Sequence, residues 1–157
     1  MKPRHLTIVL TMLLSLMACE TIDCTLENTV ACRYGLYTTE GSVKLNDTLS
    51  IYVCSSNDVL LNQETEASGA VLPMSYWQDI DTLLFVVAGE RYIIEDTVFI
   101  EKVNTPHFES PDCPSKMFHE ITSVRCSHNY MDSIVLVQPL VNYNEIENIR
   151  IYLRAGK

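Results

Sequence analysis

Residues 83–88 read Leu-Leu-Phe-Val-Val-Ala, and past the turn signal Gly89-Glu90 the chain resumes as Tyr92–Val103, YIIEDTVFIEKV. A continuous apolar run of six is the length of a strand, and it is the composition expected of one covered on both faces. The second stretch alternates around Val98 and Ile100 with the period of two that puts every other side chain on one face. The same reading extends outward in both directions. Thr48–Cys54 (TLSIYVC) sets Leu49, Ile51 and Val53 on one face, and Val30, Cys32, Tyr34 and Leu36 alternate with their neighbours. Ile121–Cys126, Ile134–Val137 and Ile149–Leu153 complete the set. Glu40-Gly41-Ser42, Ser55-Ser56-Asn57-Asp58 and Ser110-Pro111-Asp112 punctuate the strands as turns. No stretch carries a helical stripe, and Leu60–Gly69 reads as a loop or a single turn. Seven or more short strands at this spacing predict an all-β fold, a single antiparallel β-sandwich of immunoglobulin-like architecture.

The whole chain has 157 residues, 47% of them apolar, so one domain with a real core is expected. Eleven Lys and Arg stand against twenty Asp and Glu, for a net charge of −9. That balance argues against nucleic acid as a partner and against a polybasic membrane-surface domain, both of which need clustered bases.

The first residues carry an address. Lys2, Arg4 and His5 precede a twelve-residue apolar run, Leu6–Met17, too short for a stable bilayer span and suited to a signal peptide. Leu16-Met17-Ala18-Cys19 follows and resembles a bacterial lipobox. The resemblance implies cleavage before Cys19 and a lipidated N-terminal cysteine, since firm anchoring takes two or more acyl chains. An ordinary secretory signal or an uncleaved hydrophobic N-terminus is the blander alternative. The predicted division is therefore a lipoprotein signal peptide over 1–18, a lipidated tether over 19–29 and a β-sandwich domain over 30–157. Glu20 after the anchor position favours the outer membrane by analogy with enteric lipoproteins. Glu20, Asp23 and Glu27 resemble the acidic export signals of some surface lipoproteins, so either the periplasmic or the cell-surface face remains open.

Asp47-Thr48-Leu49, Asp81-Thr82-Leu83, Asp96-Thr97-Val98 and Asp132-Ser133-Ile134 repeat one pattern. Turn chemistry at strand starts accounts for it. The pattern also resembles the acceptor motif of the general O-glycosylation system of Bacteroidetes, with Thr48, Thr82, Thr97 and Ser133 as candidate acceptors.

With Cys19 lipidated, five cysteines remain, enough for at most two internal disulfides in an exported protein. Cys113 and Cys126 are the preferred pair, stapling the excursion between them; Cys24 or Cys32 could tie the tether to Cys54. The sharper alternative is a metal site built from His107, His119 and His128 with a cysteine thiolate, although their spacings match no compact ligand pair.

Enzyme signatures are lacking: there is no nucleophile elbow, phosphate loop, paired His-Glu helix motif or Cys-x-x-Cys pair. A carboxylate pair drawn from Glu90, Glu95, Glu101 and Glu109 would need a spatial separation that sequence does not give. Neither catalysis nor a cofactor is therefore expected. Tyr76-Trp77, Tyr130 and Tyr143 could stack a sugar or a partner, but a lone Trp in a sandwich more often belongs to the core.

Pro106-His107-Phe108-Glu109-Ser110, Asp112-Cys113 and Met117-Phe118-His119-Glu120-Ile121-Thr122 together resemble a family of small uncharacterised lipoproteins of the Bacteroidetes. So do Asp132-Ser133-Ile134, Pro139, Val141-Asn142-Tyr143-Asn144 and Glu147-Asn148-Ile149-Arg150-Ile151-Tyr152. The similarity covers the domain and is strongest from Ile93 to Leu153. The resemblance implies a single β-rich domain behind a lipobox, with no catalytic residue to inherit. It also implies, as a candidate partner, an outer-membrane barrel protein encoded nearby. Cys126 departs from the family pattern, where a hydroxyl residue is expected. The function expected is a non-catalytic binding or assembly module held at the outer membrane by its lipid; the alternatives are the metal-binding protein above and a purely structural envelope protein.

Overall fold

The apolar run at 83–88 is the heart of strand β6 (Ile80–Ala88) in the computed structural model, which describes residues Val30–Arg154. The predicted signal peptide, Cys19 and the tether over 1–29 lie outside the described residues. Among the described residues eleven strands form: β1 (Cys32–Thr38), β2 (Gly41–Ser42), β3 (Thr48–Val53), β4 (Val59–Glu64), β5 (Gly69–Leu72), β6, β7 (Ile93–His107), β8 (Lys116–Cys126), β9 (Met131–Leu136), β10 (Leu140–Val141) and β11 (Ile149–Leu153). The described residues contain no helix. Six strands make one sheet in the order β10-β8-β7-β6-β3-β4; the other runs β2-β1-β11-β9, with β5 also on β1.

The predicted two-sheet sandwich is the fold. Its inner faces bury Leu36, Leu49, Ile51, Phe85, Val98, Ile100, Ile149 and Ile151 in one apolar cluster. At roughly 25 cal/mol per Å2 of apolar surface, such burial is the main force holding the sheets together. In β6, Leu83, Phe85 and Val87 point into this cluster, while Leu84 and Val86 on the other face are half-buried. The expectation of full cover on both faces therefore holds for one face.

Three features depart from the sequence reading. First, the pairing of β1 with β11 is parallel, Tyr34 opposite Ile149 and Leu36 opposite Ile151, in an otherwise antiparallel fold. Second, Leu60–Gly69 is a loop only over 65–68; Leu60–Glu64 is most of β4 and Gly69 starts β5. As an edge strand β4 keeps Asn62, Gln63 and Glu64 exposed, Gln63 takes a positive φ of 50°, and the register with β3 shifts twice. Bulges and an exposed edge erase the alternation that marks a strand. Third, β7 and β8 form a long hairpin running to His107 and from Lys116, well past the apolar alternation.

The strand directions sort the connections by end. Val30, leading into β1, lies at the same end as the turn 54–58, the loop 73–79, the hairpin tip 108–115 and the loop 142–148. We call this the proximal end. The turn 89–92, the turn 127–130 and Arg154 lie at the opposite, distal end.

Candidate functional site

Lys102 sits at an inward position of β7, two residues beyond Ile100, just after a bulge between Glu101 and Lys102. Its side chain is wholly excluded from solvent. A buried ammonium must have its three protons satisfied, and here Nζ donates to the carbonyl of Ser75 (2.7 Å), the carbonyl of Gln78 and Asn104 Oδ1 (3.1 Å). Asp81 Oδ2 on β6 completes the shell at 3.5 Å and also accepts from the Ser75 N–H. Burial raises the Asp81 carboxyl against the opposing pull of Lys102. It likewise lowers the Lys102 amine against the opposing pull of Asp81.

These bonds hold the loop 73–79 by both shoulders. Asn104 Nδ2 donates to the Gln78 carbonyl (3.0 Å), and the Ser75 hydroxyl accepts the N–H groups of Trp77 (3.3 Å) and Gln78 (3.2 Å). Between the shoulders, Tyr76 turns toward the His119 ring, centroids 6.2 Å apart, while Trp77 stands 87% exposed. The lone tryptophan is therefore not a core residue; the loop geometry points it outward.

His119 is the fourth member of the cluster. Its Nδ1 donates to Asn104 Oδ1 (2.7 Å), an acceptor only, which leaves Nε2 as the unprotonated nitrogen. Nε2 is buried without a hydrogen-bond partner. Burial, with the Lys102 charge second, pulls the imidazole down to about 4. On the opposite face of β8, His107 stacks on Phe118 at 4.2 Å, and Tyr143 meets Phe118 edge-on at 5.0 Å. Burial first and the Glu109 carboxylate next push the Tyr143 hydroxyl up to about 12. A cleft of about 370 Å3 opens beside the cluster, lined by Val53, Ser55, Asp58, Met74, Ser75 and Asp81 among others.

The geometry overturns two expectations. His107, His119 and His128 do not converge, and the described residues hold no group of three or more side chains able to share a metal. His107 goes with Phe118, on the face of β8 opposite its neighbour His119. His128 lies past the far end of β8, roughly 20 Å or more from His119 at about 3.3 Å per residue. The Cys113–Cys126 disulfide fails for the same reason. Cys113 is in the hairpin tip and Cys126 ends an eleven-residue strand that starts after it, so the pair is on the order of 30 Å apart, against a Cα reach below about 7 Å. Cys126, Cys54 and Cys32 carry free thiols, that of Cys126 3.9 Å from His128 Nδ1. Cys113 is disulfide-bonded, to none of these three.

Thr48, Thr82, Thr97 and Ser133 are all half-buried strand residues. Thr48 Oγ1 donates to the Ala88 carbonyl (3.2 Å). The aspartates before them do work that sequence reasoning missed. Asp81 belongs to the Lys102 cluster, and Asp96, 3% exposed, accepts from the Ser127 hydroxyl (2.7 Å) and from the N–H groups of Asn129, Tyr130 and Met131. The signal was present: both aspartates, like Lys102, fall at inward phases of strands, where an unpaired charge is costly.

The described chain is thus an all-β sandwich whose proximal end is organised by buried Lys102, Asp81 and His119 with half-buried Asn104. It belongs to the family of unknown function DUF6452, whose model matches residues 48–153. That span leaves out β1, although β1 lies beside β11 in the core. No match was found among curated proteins or among solved structures.

Proposed function

We propose that this protein is a lipid-anchored module of the cell envelope, non-catalytic, which binds or helps assemble a partner at the outer membrane. The observation that carries the reading is the Leu16-Met17-Ala18-Cys19 sequence ahead of a domain whose chain enters at one end, at Val30, and leaves at the other, at Arg154. A domain hung by its N-terminus presents its far loops and both sheets away from the attachment point. The partner class favoured is an outer-membrane barrel protein, on the family resemblance described above. Thr48, Thr82, Thr97 and Ser133 are the positions at which a glycan would be borne.

The test is the intact mass of protein extracted from native membranes, together with cross-linking in those membranes before extraction. Acyl chains on Cys19, loss of membrane fractionation in Cys19→Ala and a barrel protein cross-linked in stoichiometric amount support the reading. Extra mass in sugar steps, mapped to any of the four hydroxyl residues, assigns the acceptors. An unlipidated, freely soluble chain rejects the anchor, and an anchored chain without a partner leaves the structural envelope role in its place.

A further inference from the structure

We infer that Trp77 and the aromatic proximal end form a contact surface for the lipid bilayer, seated at the headgroup level beside the anchor. The inference rests on the lipoprotein reading above and adds the orientation of the domain. The loop bearing Trp77 is held by a buried ammonium, an ion pair and four further hydrogen bonds. An exposed indole on so constrained a loop is presented, not left over. Phe108, in the hairpin tip at the same end, is 67% exposed, and Tyr76 and Ile146 are exposed there too. The distal end exposes Tyr92 and Ile93 but no tryptophan, and Tyr92 donates its hydroxyl to Asp47. Tryptophan and tyrosine favour the membrane–water interface because one side of the ring is apolar and the other can stay wet.

Where the chain enters makes the bilayer the occupant. The domain begins at Val30, at the proximal end, and only the residues from 20 to 29 separate it from Cys19. Fully extended, ten residues span at most about 35 Å, so an anchored domain keeps this end close to the lipid. The second contact is then intramolecular and occurs at high effective concentration. Glu109, Asp112 and Glu145 lie in the same loops, with Lys116 and Arg33 as the nearby bases. That acidic margin favours a zwitterionic surface over an anionic one.

Trp77 is the single tryptophan of the chain, so its fluorescence reads this loop alone. The lipoprotein purified from membranes would be placed in vesicles of phosphatidylethanolamine and phosphatidylcholine, with and without bromine on the acyl chains. Flotation is scored first and Trp77 emission second. The expected result is a blue shift, quenching by the brominated lipid and a several-fold loss of quenching by aqueous iodide, all weaker when anionic phosphatidylglycerol replaces half the lipid. Phe108→Ser should reduce the shift, and since Phe108 is exposed that variant keeps the fold. Protein that floats while Trp77 stays as open to iodide as a free tryptophan derivative overturns the inference and leaves the anchor standing. Protection that appears only when a second protein copurifies overturns it in favour of a protein contact. Failure to float, with no lipid in the intact mass, removes the lipoprotein reading and the inference with it.

Discussion

The Lys102 ammonium lies 3.5 Å from the Asp81 carboxylate, one side chain from β7 and the other from β6, with the lysine wholly buried. Each member is expensive to bury alone, and each makes the other tolerable. Lys102→Ala leaves Asp81 and the carbonyls of Ser75 and Gln78 without their cation. It is expected to destabilise the domain by about 3–5 kcal/mol, the usual range for orphaning a buried charge. Lys102→Met combined with Asp81→Asn should recover a large part of that loss. Urea denaturation midpoints of the three proteins check it, and equal loss in the single and the double variant would contradict the pairing.

His119 gives the domain a pH dependence whose sign follows from its neutral burial. With the folded imidazole near 4 and an ordinary value of 6.5, the unfolded chain binds a proton between those pH values that the folded one refuses. Stability therefore falls as pH drops from about 6.5 to 4, then levels off, with a limiting penalty of about 3 kcal/mol. His119→Phe should flatten that slope. The measurement is the difference in denaturation midpoint between wild type and variant from pH 7 to pH 4, which cancels the shared carboxylates.

Asp96 organises the turn 127–130 by accepting four hydrogen bonds. Asp96→Ala strands the buried Met131 N–H and the half-buried N–H groups of Asn129 and Tyr130, a buried one being worth about 1–3 kcal/mol when left unpaired. A loss of at least about 3 kcal/mol is expected, with Asp96→Asn intermediate because one acceptor oxygen remains. Thermal unfolding distinguishes the three, and an unchanged Asp96→Ala protein would refute the role.

The cysteines should react in an order set by burial. Cys54 is exposed, Cys126 half-buried, and Cys32 fully buried with its thiol pushed up to about 12 by that burial. Alkylation of native protein without reductant should label Cys54 first, Cys126 later and Cys32 only after denaturation, since the thiolate is the reactive form. Cys113 should stay unlabelled until reductant is added. A non-reduced peptide map showing Cys113 joined to Cys126 would contradict the fold at the β7–β8 hairpin.

How much of this was legible depended on where apolar residues carried the pattern. Leu83–Ala88, Thr48–Val53 and Ile149–Leu153 announce themselves because core packing demands alternating apolar side chains there. The outer half of the β7–β8 hairpin does not, because Asn104, Thr105, Pro106 and His107 pair with β8 beyond the core, with Thr105 and Pro106 exposed. The edge strand β4 hides behind its polar side chains and positive φ at Gln63. The histidines look like a cluster on paper because strand length is invisible in a count of residues. Lys102 is hidden for the opposite reason: it occupies the next inward beat after Val98 and Ile100, and its charge reads as a strand end unless Asp81 is placed beside it.

The parallel pairing of β1 with β11 joins residues more than a hundred positions apart, as in the Arg33 N–H to Asn148 Oδ1 bond. A ribosome delivers β1 first and β11 last. Until Ile149–Leu153 emerges, Tyr34 and Leu36 have no neighbour on that side, and the closure of so long a loop makes this a late, slow contact. The five-stranded sheet is thus completed only when the last strand is available, whereas the six-stranded sheet pairs without it. A chain truncated before Ile149 would lose its first strand's partner along with its last strand.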